Sequence, residues 1–239
     1  MYFCAWGTPR PDGKLPYATN LAASGDQGRT WQYEGDDPIF PHTEPWNCEG
    51  TGSVCVIEDN GKYRAYFTSF GAYRKPPEGA DCFHAGHSDV IPSVGIGYAE
   101  SEDGIRWTYP LDDWVVKPRG FHQDYYEYLL SKPWVIKDGG GYRMWCGAMG
   151  TRYRIRSLTS KDGLHWEFHD DWIFDGKDEA APDGIGDPGA FDDIHRSYPM
   201  VLKTGDTYHF WYTGNWFGQA GDGYKTGMGY AVGRIAVPD

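Results

Sequence analysis

Carboxylates recur at or beside one position of an internal pattern. Val56, Val135 and Val201 sit at matching places in three apolar runs, each of which leads into a glycine turn. Those runs are SVCVIEDNGKYRAYFTSF (Ser53 to Phe70), KPWVIKDGGGYRMWCGA (Lys132 to Ala148) and YPMVLKTGDTYHFWYTG (Tyr198 to Gly214). Counting eight residues back from each valine reaches Cys48, Glu127 and Asp193, and Glu49 stands beside Cys48. Carboxylates brought together at a common mouth push one another's pKa values apart, as acid–base work requires. Glu49, Glu127 and Asp193 are therefore the candidate catalytic residues. The alternative is that each only caps and solvates a loop.

The neighbouring residues suit a polyhydroxylated ligand. His42 and Trp46 precede the first run. Phe121, His122, Asp124, Tyr125 and Tyr126 precede the second, His195 and Arg196 the third, and Asn215 and Trp216 follow it. Indole and phenol faces stack on sugar C–H faces, while amides, imidazoles and guanidinium groups bond hydroxyls. Most of the 11 tryptophans are expected in packing, with a few at the rim. The insertion DCFHAGHSDV offers Asp81, Cys82, His84, His87 and Asp89, a loose spacing for a metal and a better one for a lid. The acidic stretch from Asp175 to Asp193 lacks EF-hand spacing. No cofactor is expected, and calcium is the one ion that this stretch could hold.

The elements that must position these residues are strands. Asp-Asn-Gly, Asp-Gly-Gly and Thr-Gly-Asp between apolar and aromatic runs are hairpin signals. A second motif follows each hairpin or its partner strand: SGDQGRTW (Ser24 to Trp31), SEDGIRW (Ser101 to Trp107) and SKDGLHW (Ser160 to Trp166). The first fits the Asp-box pattern S-x-D-x-G-x-T-W and the others its shorter form. Asp accepts turn amides, Gly takes positive φ, and Trp packs between units. Asp26, Asp103 and Asp162 are thus read as structural, on the face away from the candidate site. Four-stranded units repeated without helices spell a β-propeller. One all-β domain over 1–239 is expected, with a partial unit at 1–40 and units at about 46–116, 124–174 and 192–239. In the partial unit, MYFCAW aligns with KYRAYF (Lys62 to Phe67). The missing strands do not complement each other, so a five-bladed ring that is incomplete or closes atypically is expected.

Composition removes other classes. The 239 residues carry 22 Lys+Arg against 34 Asp+Glu, a net charge of −12, which disfavours nucleic acid as a partner. With 17% aromatics the chain is not disordered, and no apolar run reaches the ~20 residues of a membrane helix. Five cysteines without CxxC spacing argue for free thiols. The first residues contain no signal peptide pattern, which favours the cytoplasm.

The P-x-V-x-x-x-x-G-x-Y hairpin from Pro133 to Tyr142, with GYAESEDGIRW and SLTSKDGLHW, resembles the five-bladed propeller glycoside hydrolases of families 43 and 32. The resemblance covers most of the chain. It implies two-carboxylate hydrolysis of a furanoside or a xylo/arabino-type glycoside. Glu127 best matches the general acid, and Asp193 or Glu49 would serve as base or nucleophile. Arg196 and His195 would bind hydroxyls or tune charge, and Trp46, His122, Tyr125, Asn215 and Trp216 would contact the substrate. Family 32 carries an Arg-Asp-Pro signature, and the nearest segment, His195 to Pro199, lacks the Asp. The first-unit inner strand that bears the family 43 base is absent from this numbering. The rival reading is a non-catalytic glycan-binding propeller or a remnant of a hydrolase. A sialidase would need three clustered arginines. Arg152, Arg154 and Arg156 alternate along one strand and are expected on a solvated face. The expected partner is an oligosaccharide or glycoside, with no nucleic acid or membrane and with room for a homo-oligomer.

Overall fold

The computed structural model describes residues 1–11, 14, 16–82, 89–122, 125–170, 172–174, 185–217 and 223–234. Every regular element among them is a strand: β1 (Tyr2–Trp6), β2 (Tyr17–Ala23), β3 (Gln32–Tyr33), β4 (Gly50–Asp59), β5 (Lys62–Arg74), β6 (Ile91–Ser101), β7 (Gly120–His122), β8 (Tyr125–Glu127), β9 (Leu129–Asp138), β10 (Gly141–Met149), β11 (Tyr153–Ser160), β12 (Glu167–Phe168), β13 (His195–Thr204), β14 (Thr207–Phe217) and β15 (Tyr224–Gly233). Aromatic and branched residues fit a pleated surface, and glycine turns interrupt them. Asn60 and Gly61 take φ of 54° and 79°, and Gly139 and Gly140 take 60° and 83°. Paired positive angles of this kind match the twist of the strands they join. No described helix is long and apolar enough to cross a membrane.

Apart from the separate antiparallel pair β7–β8, the strands pair antiparallel in four groups: β1–β3, β4–β6, β9–β12 and β13–β15. Single parallel bridges, Tyr17 to Gly50 and Val94 to Leu129, link the first three groups. The outermost strand of each of the first three groups is short: β3, β12, or the bridges Glu100–Thr108 and Ile96–Val116. The inner strands β4, β9 and β13 touch in succession, and β1 and β2 touch β4. Among the described residues no comparable contact joins β13–β15 to β1–β3, so these groups form an open arc about an axis.

The cores lie between groups. Phe40 stacks on Phe67 at 4.3 Å, with both rings fully buried. Truncating either would cost about 3–5 kcal/mol. Cys55, Tyr66 and Tyr98 of the second group pack on Val135, Tyr142 and Met144 of the third. Trp134, Trp145 and Ile155 of the third pack on Val201, Tyr208 and Phe210 of the fourth. Register makes these rows equivalent: Cys55–Tyr66–Tyr98, Trp134–Trp145–Ser157 and Met200–Trp211–Tyr230. The third row faces away from the protein, and Met200, Leu202, Met228, Tyr230 and Val232 are exposed along it.

The register also corrects the first strand. Tyr2 pairs with Leu21 as Tyr66 pairs with Tyr98. Tyr2 donates to the Gly104 carbonyl at 2.7 Å, as Tyr66 donates to that of Gly163 at 3.0 Å. MYFCAW therefore corresponds to Ala65 to Phe70, not to Lys62 to Phe67. A shift of odd length turns every side chain to the other face.

The cysteines Cys4, Cys48, Cys55, Cys82 and Cys146 are all free. Burial pushes the Cys55 thiol up to about 11.

Candidate functional site

Each inner strand carries one irregular residue at the same repeat position. Ser53 in β4, Lys132 in β9 and Tyr198 in β13 lie three residues before Val56, Val135 and Val201. Their φ angles are 35°, 57° and 52°. The ladder slips at each place: between Gly52 and Val54, opposite Trp145 to Gly147, and between Ser197 and Met200. A bulge of this kind re-aims one side chain. Pro133 and Pro199 follow two of them, where a missing N–H costs no ladder bond.

All three bulge residues line one cavity of 390 Å³ on the axis. Its walls are Trp6, Tyr17, Phe70, Tyr73, Tyr153 and Tyr198, with the hydroxyls of Ser53, Thr68 and Ser131 and the ammonium of Lys132. Tyr17 stacks on Phe70 at 4.5 Å, and Trp6 meets Tyr17 edge-on at 5.4 Å. Lys132 Nζ lies 3.6 Å from the Tyr153 ring centre and 4.1 Å from that of Tyr198. Its backbone N–H donates to Thr68 Oγ1 at 2.8 Å. Enclosure lowers the Lys132 ammonium to about 8. The described lining includes no carboxylate.

The three candidate carboxylates lie outside that lining, each with its own partners. Glu127 is fully buried at the end of β8. It accepts the Arg119 N–H at 3.1 Å and the Tyr125 hydroxyl at 2.9 Å. The Nε atoms of Arg156 and Arg119 lie 3.5 and 3.8 Å from it. Glu49 is half-buried and is held by Arg10 at 2.9 Å and Lys14 at 3.1 Å. Asp193 Oδ2 accepts the Gly189 N–H at 2.7 Å, and its buried Oδ1 has no partner among the described residues. No hydrogen bond or ion pair joins any two of the three among the described residues.

Of the arginines expected on a solvated face, Arg152 is exposed but Arg154 and Arg156 are packed. Arg154 and Arg156 are buried, and Arg156 lies over the Trp172 ring at 3.2 Å. Arg156 also donates to the Asp170 carbonyl at 2.8 Å and to the Tyr125 hydroxyl. These arginines share the face of β11 that meets Tyr125 and Trp172, so alternation put them inside rather than out. Burial lowers the Arg156 pKa, against the opposing pull of Tyr125 and Glu127.

The remaining candidates are placed as follows. Trp46 is buried beside Phe67 and Tyr109, and its carbonyl accepts from Ser69 and Trp114. His195 is buried behind the cavity wall, where its Nδ1 accepts the Tyr153 N–H at 3.0 Å. Burial, with Lys132 and Arg152 nearby, lowers it to about 4. Arg196 donates to Asp192 at 2.6 Å and to the Phe174 carbonyl. Asp192 also accepts from Tyr212 at 2.8 Å. Asn215 is buried against Thr226, and Trp216 is half-buried beside Phe191. His122 lies 3.8 Å from Asp170. Asp124, His84, His87 and the stretch 175–184 lie outside the described residues. Among the described residues no group of three or more His, Cys, Asp or Glu could hold a metal ion.

The three Ser-x-Asp turns share one bonding scheme. Asp26 Oδ1 accepts the N–H groups of Arg29 and Thr30 at 2.9 Å each. Asp103 and Asp162 each accept two turn amides at 2.8 Å. Turn amides and the Thr30 hydroxyl lower Asp26 to about 2, and His165 leads the lowering at Asp162. Tyr66 and Arg64 of the second group reach the carbonyls of Gly163 and Asp162. A Cβ at Gly163, where φ is 80°, would lie 2.6 Å from the Tyr66 hydroxyl. The turns therefore sit by the hairpin ends, away from the cavity, as a lock between groups.

The sequence reading passed over Ser53, Lys132, Tyr153, Tyr198, Trp6 and Tyr17. For Ser53, Lys132 and Tyr198 the same repeat holds the signal, at three residues before the valine instead of eight.

No family model matches the chain. Over 174 residues it is 33% identical to the uncharacterized protein Rv1502 of Mycobacterium tuberculosis, covering 72% of this chain and 48% of that protein. The chain thus spans about half the length of the curated relatives it matches. Among solved structures it is similar to a sucrose-6-phosphate hydrolase from Lactobacillus gasseri, with a TM-score of 0.60 and 18% identity over 89% of this chain and 37% of that one. It is also similar to a GH32 beta-fructofuranosidase of Bombyx mori, with a TM-score of 0.60 and 15% identity over 98% of this chain and 44% of that one. At these identities the likeness concerns the fold, which is all-β and like that of the propeller glycoside hydrolases.

Proposed function

We propose that this chain binds a saccharide in the axial cavity and that the described residues recognise it without cleaving it. The lining carries the reading: aromatic faces and hydroxyls surround 390 Å³, and no carboxylate is among them. A cavity of this size falls within the range of small-ligand sites. Stacking on Tyr17 and Tyr198 would hold ring faces, while Ser53, Thr68 and Ser131 would bond hydroxyls. Calorimetric titration with a saccharide panel tests this. Trp6→Ala and Tyr17→Ala should each weaken binding about tenfold, the equivalent of about 1.4 kcal/mol. Unchanged affinity in both variants would overturn the placement.

A second reading, two-carboxylate hydrolysis, is favoured by the recurrence of Glu127 and Asp193 before inner strands and by the hydrolase-like fold. In it Glu127 is the acid, and Asp193 or Glu49 the base or nucleophile. Against it, Glu127 is fully buried among Arg119, Arg156 and Tyr125 and lies outside the lining of the axial cavity. Sugar release that disappears in Glu127→Gln, with binding retained, would restore this reading.

A further inference from the structure

We propose that Lys132 marks an anion subsite in the axial cavity and that the saccharide received there is acidic, bearing a carboxylate or a phosphate. This rests on the saccharide-binding reading and names the class of ligand.

The geometry is specific. Lys132 is the one cation in the described lining, and no described carboxylate lines the cavity with it. Its Nζ faces the rings of Tyr153 and Tyr198, and no described ion pair involves it. Lysines elsewhere in the chain do find acids: Lys137 meets Asp59 at 2.6 Å, Lys203 meets Asp138, and Lys117 meets Asp113. An enclosed ammonium without a counter-ion is costly to hold. Ring faces offset part of that cost, and an anionic ligand would offset more. The bulge at Lys132 and the Thr68 bond to its backbone fix the direction of the side chain. Repeat symmetry adds a contrast: the equivalent bulges carry Ser53 and Tyr198, so charge is confined to one wall. A ligand with one acidic group beside neutral ring faces matches that asymmetry. The chain's charge of −12 repels anions at long range, so the preference is local to the cavity.

The ammonium faces Tyr153 on β11 and Tyr198 on β13; Tyr17 on β2, Tyr73 on β5 and Cys4 on β1 line the same cavity, and His195 on β13 lies near both Lys132 and Arg152. Burial raises Tyr17, Tyr153 and Cys4, and it lowers His195. Loss of charge at Lys132 therefore precedes ionisation of those raised groups as pH climbs.

The test is calorimetric titration of the whole chain with matched probes: digalactose against digalacturonate, and glucose against glucose 6-phosphate, with inorganic phosphate alone. The acidic member of at least one pair should bind at least tenfold tighter, and the pair that shows it identifies carboxylate or phosphate as the anion. Lys132→Met should abolish that margin, while Lys132→Arg keeps it. Should Lys132→Met fail to fold, the wild-type pH profile decides, because the margin should fall as pH rises through about 8. Equal binding of neutral and acidic members overturns the anion subsite and leaves saccharide binding standing. Binding of phosphate with no saccharide bound overturns the saccharide reading instead. A margin that survives Lys132→Met, or is flat from pH 6.5 to 9.5, also overturns the assignment.

Discussion

At the scale of residues, Glu127 joins stability to the question of function. It is fully buried with two guanidinium groups and a tyrosine around it. Removing one side of such a cluster strands the other, at a cost of ~3–5 kcal/mol. Glu127→Ala should therefore lower unfolding free energy by that order in urea titrations, while the folded fraction binds saccharide as before. A stable Glu127→Ala protein that no longer binds would show the residue to be part of the site. The side chain's chemistry was legible in the sequence, but its partners were not. A carboxylate reads alike whether it is free or bound to Arg156, and Arg156 was expected to face water. Lys132 and Tyr198 were legible as repeat positions, yet only the positive φ of each bulge turns them to the axis.

At the scale of elements, the turns and bulges set the behaviour. Asp26, Asp59, Asp103, Asp138 and Asp162 are held below the usual carboxylate range by hydrogen bonds from turn amides, hydroxyls, imidazole or ammonium groups. A depressed pKa in the fold adds stability above the unfolded value of ~3.9 and loses it as pH falls toward the folded value. His195, lowered to about 4, acts in the same direction over the range up to ~6.5, because the unfolded chain takes its proton first. The melting temperature should thus fall steadily from pH 6.5 to 3, and Asp162→Asn should flatten the lower part of the curve. A melting temperature constant down to pH 3 would contradict this. The bulges make a separate prediction. Ser53 holds φ of 35°, so Ser53→Val should cost ~1–3 kcal/mol and Ser53→Gly less than 1, as read by denaturant midpoints. Equal costs would remove the backbone argument. The hairpins were readable because glycine turns and alternation coincide. The first strand was misaligned because its turn partner, Tyr2 against Gly104, lies far along the chain.

At the scale of the whole molecule, one apolar face of the arc is exposed among the described residues. Met200, Leu202, Met228, Tyr230 and Val232 occupy positions that the second and third groups bury against a neighbour. Exposed patches of this kind drive association. Met228→Lys should reduce concentration-dependent association in sedimentation velocity and move the melting temperature little, since the side chain is already exposed. Association unchanged by that substitution would assign it to another surface. The repeats disclosed this face only in part, because the order of groups is written in the sequence but closure of the ring is not. The most direct measurement of the central claim is a crystal structure with a saccharide that titrates. The account predicts density between Tyr17 and Tyr198, with a polar group of the ligand at Lys132 Nζ. Density seated instead over Glu127, Glu49 or Asp193 would contradict it.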